Sequence, residues 1–148
     1  MILFVRDLTV IDFSYLCQQR GLLGESFIVD VELEGELDAT SMVFDFGHVK
    51  KVIKRAIDDV VDHKLAYPQA ADCYQLTVDD DTEVLKFNAA RGLIQVASPS
   101  QAHVAIPTAQ INEQSVAAFL QEVIKPLLPA NVRAVRFQLR AEKSQNFY

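Results

Sequence analysis

Asp62, His63 and Lys64 stand together at the end of a long amphipathic stretch, and their types suit proton transfer. An imidazole oriented by a carboxylate moves a proton well near neutral pH, where its own charge changes. The same residues also fit a plainer role, because basic and ionisable groups favour the negative end of a helix dipole. Cys17 is a second chemically capable group. A thiol works as base or nucleophile only as the thiolate, which needs a nearby positive charge or metal. Arg20 is the local cation, and a small buried loop residue is the alternative for Cys17. His48 sits among lysines, and His103 has no partner visible in the sequence. Asp79-Asp80-Asp81-Thr82-Glu83 lacks the alternating ligands and glycine of a calcium loop and reads as an acidic turn. Gly21 to Gly24 has neither phosphate-loop spacing nor a following Lys-Ser/Thr.

The elements that position these groups follow from hydrophobic period. Val49, Val52, Ile53, Ala56, Ile57, Val60 and Val61 recur at three- and four-residue intervals. They predict a helix that follows Asp45-Phe46 and stops at Asp62-His63-Lys64, with Lys50, Lys51, Lys54, Arg55 and Asp58 opposite the apolar stripe. Met1 to Tyr15 predicts a long strand with Ile11, Phe13 and Tyr15 on one side. Cys17 to Gly24 reads as a short irregular connection, and Phe27, Val29, Val31 and Leu33 alternate in the next strand. Met42 to Phe44 is a strand end leading into the helix. Tyr74 to Val78 and Val84 to Phe87 form a hairpin around the acidic turn, with further short strands at Leu93 to Ala97 and Val104 to Ile106. Asn112 is the expected N-cap of a second helix carrying Val116, Phe119, Leu120, Val123, Ile124 and Leu127, closed by Pro126 and Pro129. Val135, Phe137 and Leu139 mark the last clear strand.

The string Ser41-Met42-Val43-Phe44-Asp45-Phe46-Gly47-His48-Val49-Lys50, with Val61-Asp62-His63-Lys64 after the helix, resembles the signature of a known family. That family comprises the 6-pyruvoyl-tetrahydropterin and 6-carboxy-tetrahydropterin synthases of the tunnelling fold. The resemblance extends to Gly24-Glu25-Ser26-Phe27, to Ser115 through Pro129, and to Val135 through Tyr148, about two thirds of the chain. It implies an α+β fold: an antiparallel sheet with two helices on one face. Residues 67–110 form an insert, read as an added small antiparallel sheet. The whole chain is expected to be a single domain, 1–148. The family normally continues with one more strand, so one half of a longer tandem protein, or an edge supplied by a partner, is the expectation.

The resemblance also implies a site. Family enzymes hold zinc with three histidines, which leave an open position for substrate. Leu23-Gly24-Glu25 occupies the place of two of them, and Ser14 to Leu16 the place of the third. Leucine cannot coordinate zinc and a single carboxylate is not a site, so no metal ligand and no cofactor is assigned. Cys17, Asp62 and His63 correspond to the family's proton-transfer residues. The pterin-anchoring glutamate falls by count at Arg140, and Glu142, two residues on, is the candidate substrate-binding acid. A carboxylate there would accept the paired N–H donors of a pterin edge. The expected function is a pterin-synthase-like domain without its own zinc site, serving assembly or an active half. The alternative is a tetrahydropterin synthase-like carbon-oxygen lyase, or a binder of a pterin or purine-like ring, with a site completed by another subunit. A deep pocket between subunits holding Glu142 beside His63 would favour ring binding; one filled by Leu22, Leu23 and Tyr15 would exclude it.

Composition narrows the partners. The net charge of −6 does not suit phosphate neutralisation, so nucleic acid is not expected. No apolar run approaches the roughly 18 to 20 residues of a membrane span, and Arg6 and Asp7 interrupt the first apolar run, unlike a secretory leader. Two cysteines make no disulfide framework, which fits a cytoplasmic setting. Homo-oligomers joined through sheet edges are expected by resemblance.

Overall fold

Two faces of one sheet carry two different covers. The structure, a computed structural model, describes residues 2–35 and 46–142. Strands β1 (Ile2–Cys17) and β2 (Gly21–Gly35) form a long antiparallel hairpin, and β8 (Val132–Ala141) pairs antiparallel along the far side of β2. Two four-residue strands, β3 (Leu65–Pro68) and β7 (His103–Ile106), extend the other side in parallel fashion. The five-stranded order is β7-β3-β1-β2-β8. The sheet is therefore mixed: the antiparallel strands of the expected fold form one part, and residues from the insert lengthen it. Strands β4 (Tyr74–Asp79), β5 (Thr82–Ala89) and β6 (Gly92–Pro99) make the separate antiparallel sheet expected of that insert.

Helices α1 (Phe46–Val60) and α2 (Glu113–Ile124) cover one face. Val49, Ile53 and Ile57 of α1 and Val116, Leu120 and Ile124 of α2 are buried in one cluster with Phe27, Val29, Val31 and Leu33 of β2 and Val135, Phe137 and Leu139 of β8. Period 3.6 on the helices thus meets period 2 on the strands. Each such aliphatic side chain contributes about 1.5–3 kcal/mol when fully buried. The small sheet packs elsewhere. Leu16 and Tyr67 join Leu85, Phe87 and Cys73 in a second buried cluster. Leu16 alternates with Tyr15, which packs against the helix cluster, so the small sheet covers the end of the opposite face.

The segment from Cys17 to Gly24 differs from expectation. Strand continues through Cys17 and resumes at Gly21, with only residues 18–20 as a turn. Gly21 has φ +85°, a conformation that closes such a hairpin without a Cβ penalty. The expected strand end at Met42 to Phe44 lies outside the described residues.

β1 is also irregular near its start. Between Val5 and Thr9 its register against β2 shifts, so Arg6, Asp7 and Leu8 face the single residue Asp30. Asp7 adopts φ +59°, and its N–H donates to Asp30 Oδ1 at 2.8 Å. Arg140 closes the bulge: its Nε donates to Asp30 Oδ2 at 3.1 Å, and its guanidinium also pairs with Asp7. Burial alone would raise the Asp30 pKa, but the Arg140 hydrogen bond, the Asp7 N–H and the Arg140 charge together hold it below the ordinary value.

Two stability predictions follow from this packing. The Asn112 side chain accepts from Ser115 N–H while the Ser115 hydroxyl accepts from Asn112 N–H, a reciprocal cap at the start of α2. Asn112→Ala is expected to cost about 1 kcal/mol in urea unfolding. Asp30 has a lowered folded pKa, so its contribution is present above the unfolded carboxylate pKa and is lost as pH falls through the folded value. Asp30→Asn is therefore expected to be less stable than the parent at neutral pH, with the difference shrinking in acid; unfolding midpoints measured from about pH 6 to pH 2 check it.

Candidate functional site

The exit of α1 is tied directly to the middle of β1. His63 N–H donates to Asp12 O at 2.8 Å, and Ser14 N–H donates to Lys64 O at 3.0 Å. Asp12 N–H donates in turn to Asp62 Oδ1 at 2.9 Å. These bonds satisfy an edge of β1 just before β3 takes over at Ser14 and Tyr15. They also require a sharp reversal, and His63 makes it at φ +61°, where glycine or asparagine is usual. A histidine held there costs backbone energy, which points to a role for its side chain.

The His63 imidazole projects outward, 77% exposed, with Nε2 3.4 Å from Asp62 Oδ2. The adjacent residues thus do face one another, at ion-pair distance. The last turn of α1 itself holds no basic residue, so His63 and Lys64 act from the turn beyond the helix. Nearby, burial first and then the Asp62 charge raise the Asp58 pKa.

A cleft of about 780 Å³ opens beside this corner. Asp12, Phe13 and Ser14 of β1 and Gly24, Glu25 and Ser26 of β2 form its floor. His63, Lys64 and Leu65 bound one side, and Val96 and Ser98 of the small sheet, with Ala102 and His103, bound another. Glu142 closes it, placed by the bond from its N–H to Ser26 O at 2.8 Å. The Ser26 hydroxyl pairs with the Asp12 carboxylate across the floor. The volume falls in the range of small-molecule sites. His63 and Glu142 therefore share one cleft, and Leu22, Leu23 and Tyr15 are not among its lining residues.

The other expected site residues fall differently. Cys17 is half-buried at the end of β1, its thiol 3.5 Å from Gln19 Oε1, and it does not line the cleft. Cys73 is buried, and burial pushes its thiol pKa up. Arg140, at the counted position of the ring anchor, is committed to Asp30 and Asp7. His103, expected to lack partners, has one: its Nδ1 lies 3.0 Å from Glu83 Oε2. The small sheet brings Glu83 of β5 against His103 of β7 in the main sheet, and no local sequence signal could have shown it. Glu25 lines the cleft but has no neighbours to complete a metal site. Among the described residues, no group of three or more His, Cys, Asp or Glu side chains is arranged to hold a metal ion. Leu23, Glu25 and residues Ser14 to Leu16 offer no imidazole, so the donor set here does not fit a three-histidine zinc.

Comparison with known proteins agrees with the fold. The sequence profile of the 6-pyruvoyl tetrahydropterin synthase family matches residues 15–147. The chain belongs to that family. A provisionally named 6-carboxy-5,6,7,8-tetrahydropterin synthase of Pyrococcus abyssi is 25% identical over 132 residues, covering 87% of this chain and 74% of the relative. Its Pyrococcus horikoshii counterpart, also provisionally named, is 33% identical over 55 residues, 37% of this chain and 32% of the relative. Among solved structures, a catalytic-residue mutant of Plasmodium vivax 6-pyruvoyltetrahydropterin synthase superposes with TM-score 0.66 at 15% identity, covering 96% of this chain and 98% of that one. The Plasmodium falciparum enzyme gives TM-score 0.65 at 12% identity, with the same coverage. These likenesses establish the α+β tunnelling fold. No helix among the described residues is long and apolar enough to cross a membrane.

If Asp62 anchors the corner as its bond to Asp12 indicates, Asp62→Ala should destabilise the protein by about 1 kcal/mol. Asp62→Asn, which keeps the acceptor oxygen, should lose less. Urea unfolding of both variants checks the difference.

Proposed function

We propose that this chain is a non-autonomous member of its family: a pterin-synthase-like domain, without its own zinc site, that serves the assembly or support of an active half or partner copy. The observation that carries this reading is the divided chemistry of the cleft. The helix-exit imidazole of His63 and the carboxylate of Glu142 line it. Leu23-Gly24-Glu25 and Ser14 stand where the zinc histidines would be, and the Cys17 thiol lies off the lining. A zinc-dependent reaction needs a metal held by ligands that this chain does not supply.

Assembly through sheet edges fits the same reading. Strands β7 and β8 are the outer strands of the main sheet. An outer strand presents unpaired backbone groups that a second copy, or a following tandem domain, would satisfy. The protein in this reading is cytoplasmic.

A second reading is favoured by one specific observation, the placement of His63 and Glu142 in a single cleft. A pterin or purine-like ring would be held there, with Glu142 accepting its N–H donors. Metal supplied from another subunit would then make the assembly a tetrahydropterin synthase-like carbon-oxygen lyase, with Cys17, Asp62 and His63 as its candidate proton-transfer residues.

Elemental mass spectrometry on protein purified without chelator separates the two readings from an autonomous enzyme. Far less than one zinc per chain, with no lyase turnover by the isolated chain, is the expected result. One tightly held zinc per chain would overturn the proposal.

A further inference from the structure

His103 is a buried imidazole with one nitrogen in use and one idle. It opens β7 and pairs with Leu65 of β3, so the main sheet fixes its backbone. Its side chain is 2% exposed and that of Glu83, on β5 of the small sheet, 18%. The 3.0 Å contact between Nδ1 and Glu83 Oε2 therefore bridges the two sheets. A carboxylate only accepts, so the Nδ1 hydrogen points to Glu83, and in the neutral form of the ring the lone pair lies on Nε2. That Nε2 is the one buried side-chain nitrogen or oxygen among the described residues without a hydrogen-bond partner. Leaving such a group unpaired is costly, and native proteins rarely keep one without a use for it.

The residue lines the cleft that also holds His63 and Glu142. We propose that His103 is a ligand-recognising residue of this cleft, held by Glu83 so that Nε2 accepts a hydrogen bond from an N–H or O–H donor of the occupant. The rest of the lining agrees in chemistry. Asp12, Glu25 and Glu142 are also acceptors, while Lys64 is the lining ammonium. A wall with this many acceptors selects a donor-rich ligand, such as an aminopyrimidine-type heterocycle. The heterocycle rests on the ring-binding reading above; the role of His103 does not. Because His103 and Glu83 both lie in the insert, this recognition is separate from the helix-exit corner.

The test is imidazole nitrogen NMR on the intact chain, with unsubstituted pterin and then guanidinium as probes, alongside binding titrations of variants. The Nε2 signal is expected in the unprotonated range in free protein and should shift on saturation with pterin. His103→Phe should weaken pterin binding about tenfold. His103→Gln, which keeps an acceptor, should recover part of the loss, and Glu83→Gln should weaken binding by freeing the ring. Circular dichroism monitors the fold of each variant, and the NMR arm needs no variant. If guanidinium moves Nε2 and pterin does not bind, the ring reading fails and the role of His103 stands. If neither probe moves Nε2, or if pterin binds folded His103→Phe and His103→Gln as tightly as the parent, the inference is overturned.

Discussion

The rest of the structure depends on the way β1 divides its backbone bonds. On one side it pairs with β2 along its whole length, apart from the bulge at Arg6 to Leu8. On the other it is served first by the turn after α1 and then by β3. The exchange happens within three residues. Asp12 accepts from His63 N–H and donates to Asp62, and Ser14 donates to Lys64 O. An edge left bare there would leave backbone groups of the central strand unpaired within the fold. The corner fixes where α1 ends, where β3 begins and where His63 points. Site geometry is thus a by-product of satisfying the central strand.

A cleft forms because the two covers of the sheet are unequal. The helices bury one face with a continuous cluster from Val49 to Leu139. The small sheet meets the other face only near its end, around Leu16, Tyr67, Leu85 and Phe87. Asp12, Ser14, Gly24 and Ser26 are polar or small and lie beyond that contact, so no hydrophobic force draws the small sheet over them. The short 3-10 turn at Ser100–Ala102 returns the chain from β6 to β7, and its Ala102 lines the hollow. The insert therefore contributes both a wall and a buried imidazole.

Much of this was legible in the sequence, and the illegible parts share a cause. Both helices could be read because their apolar positions repeat over several turns, and Asn112 announced the second through its capping chemistry. The hairpin around Asp79 to Asp81 was equally plain, with Asp80 at φ +53° in its turn. Leu65–Pro68 and His103–Ile106 are too short to show a period, and parallel pairing between them has no local mark. The bulge opposite Asp30 depends on Arg140, 110 residues away. The tight turn after Cys17 rests on a single glycine. Glu25 and Glu142 could be placed near the site only by resemblance, and the Glu83–His103 contact not at all, since the two residues lie in different sheets.

The pattern of what this chain keeps is itself informative. A helix-exit Asp-His-Lys corner could persist for structural reasons alone, because Asp62 satisfies Asp12 and the turn needs a tight reversal. Structure does not, however, call for histidine at φ +61°, where glycine would adopt the turn without strain. Nor does it call for the His63 ring to stand outside the core, half turned toward Asp62. Neither the φ of +61° nor the exposed ring of His63 is required by packing. The same logic applies to His103, which loses a hydrogen bond by being buried. Two imidazoles, each beside a carboxylate, line one hollow. The cleft between them is lined by polar, charged and small residues as well as apolar ones, so it differs from an ordinary apolar core.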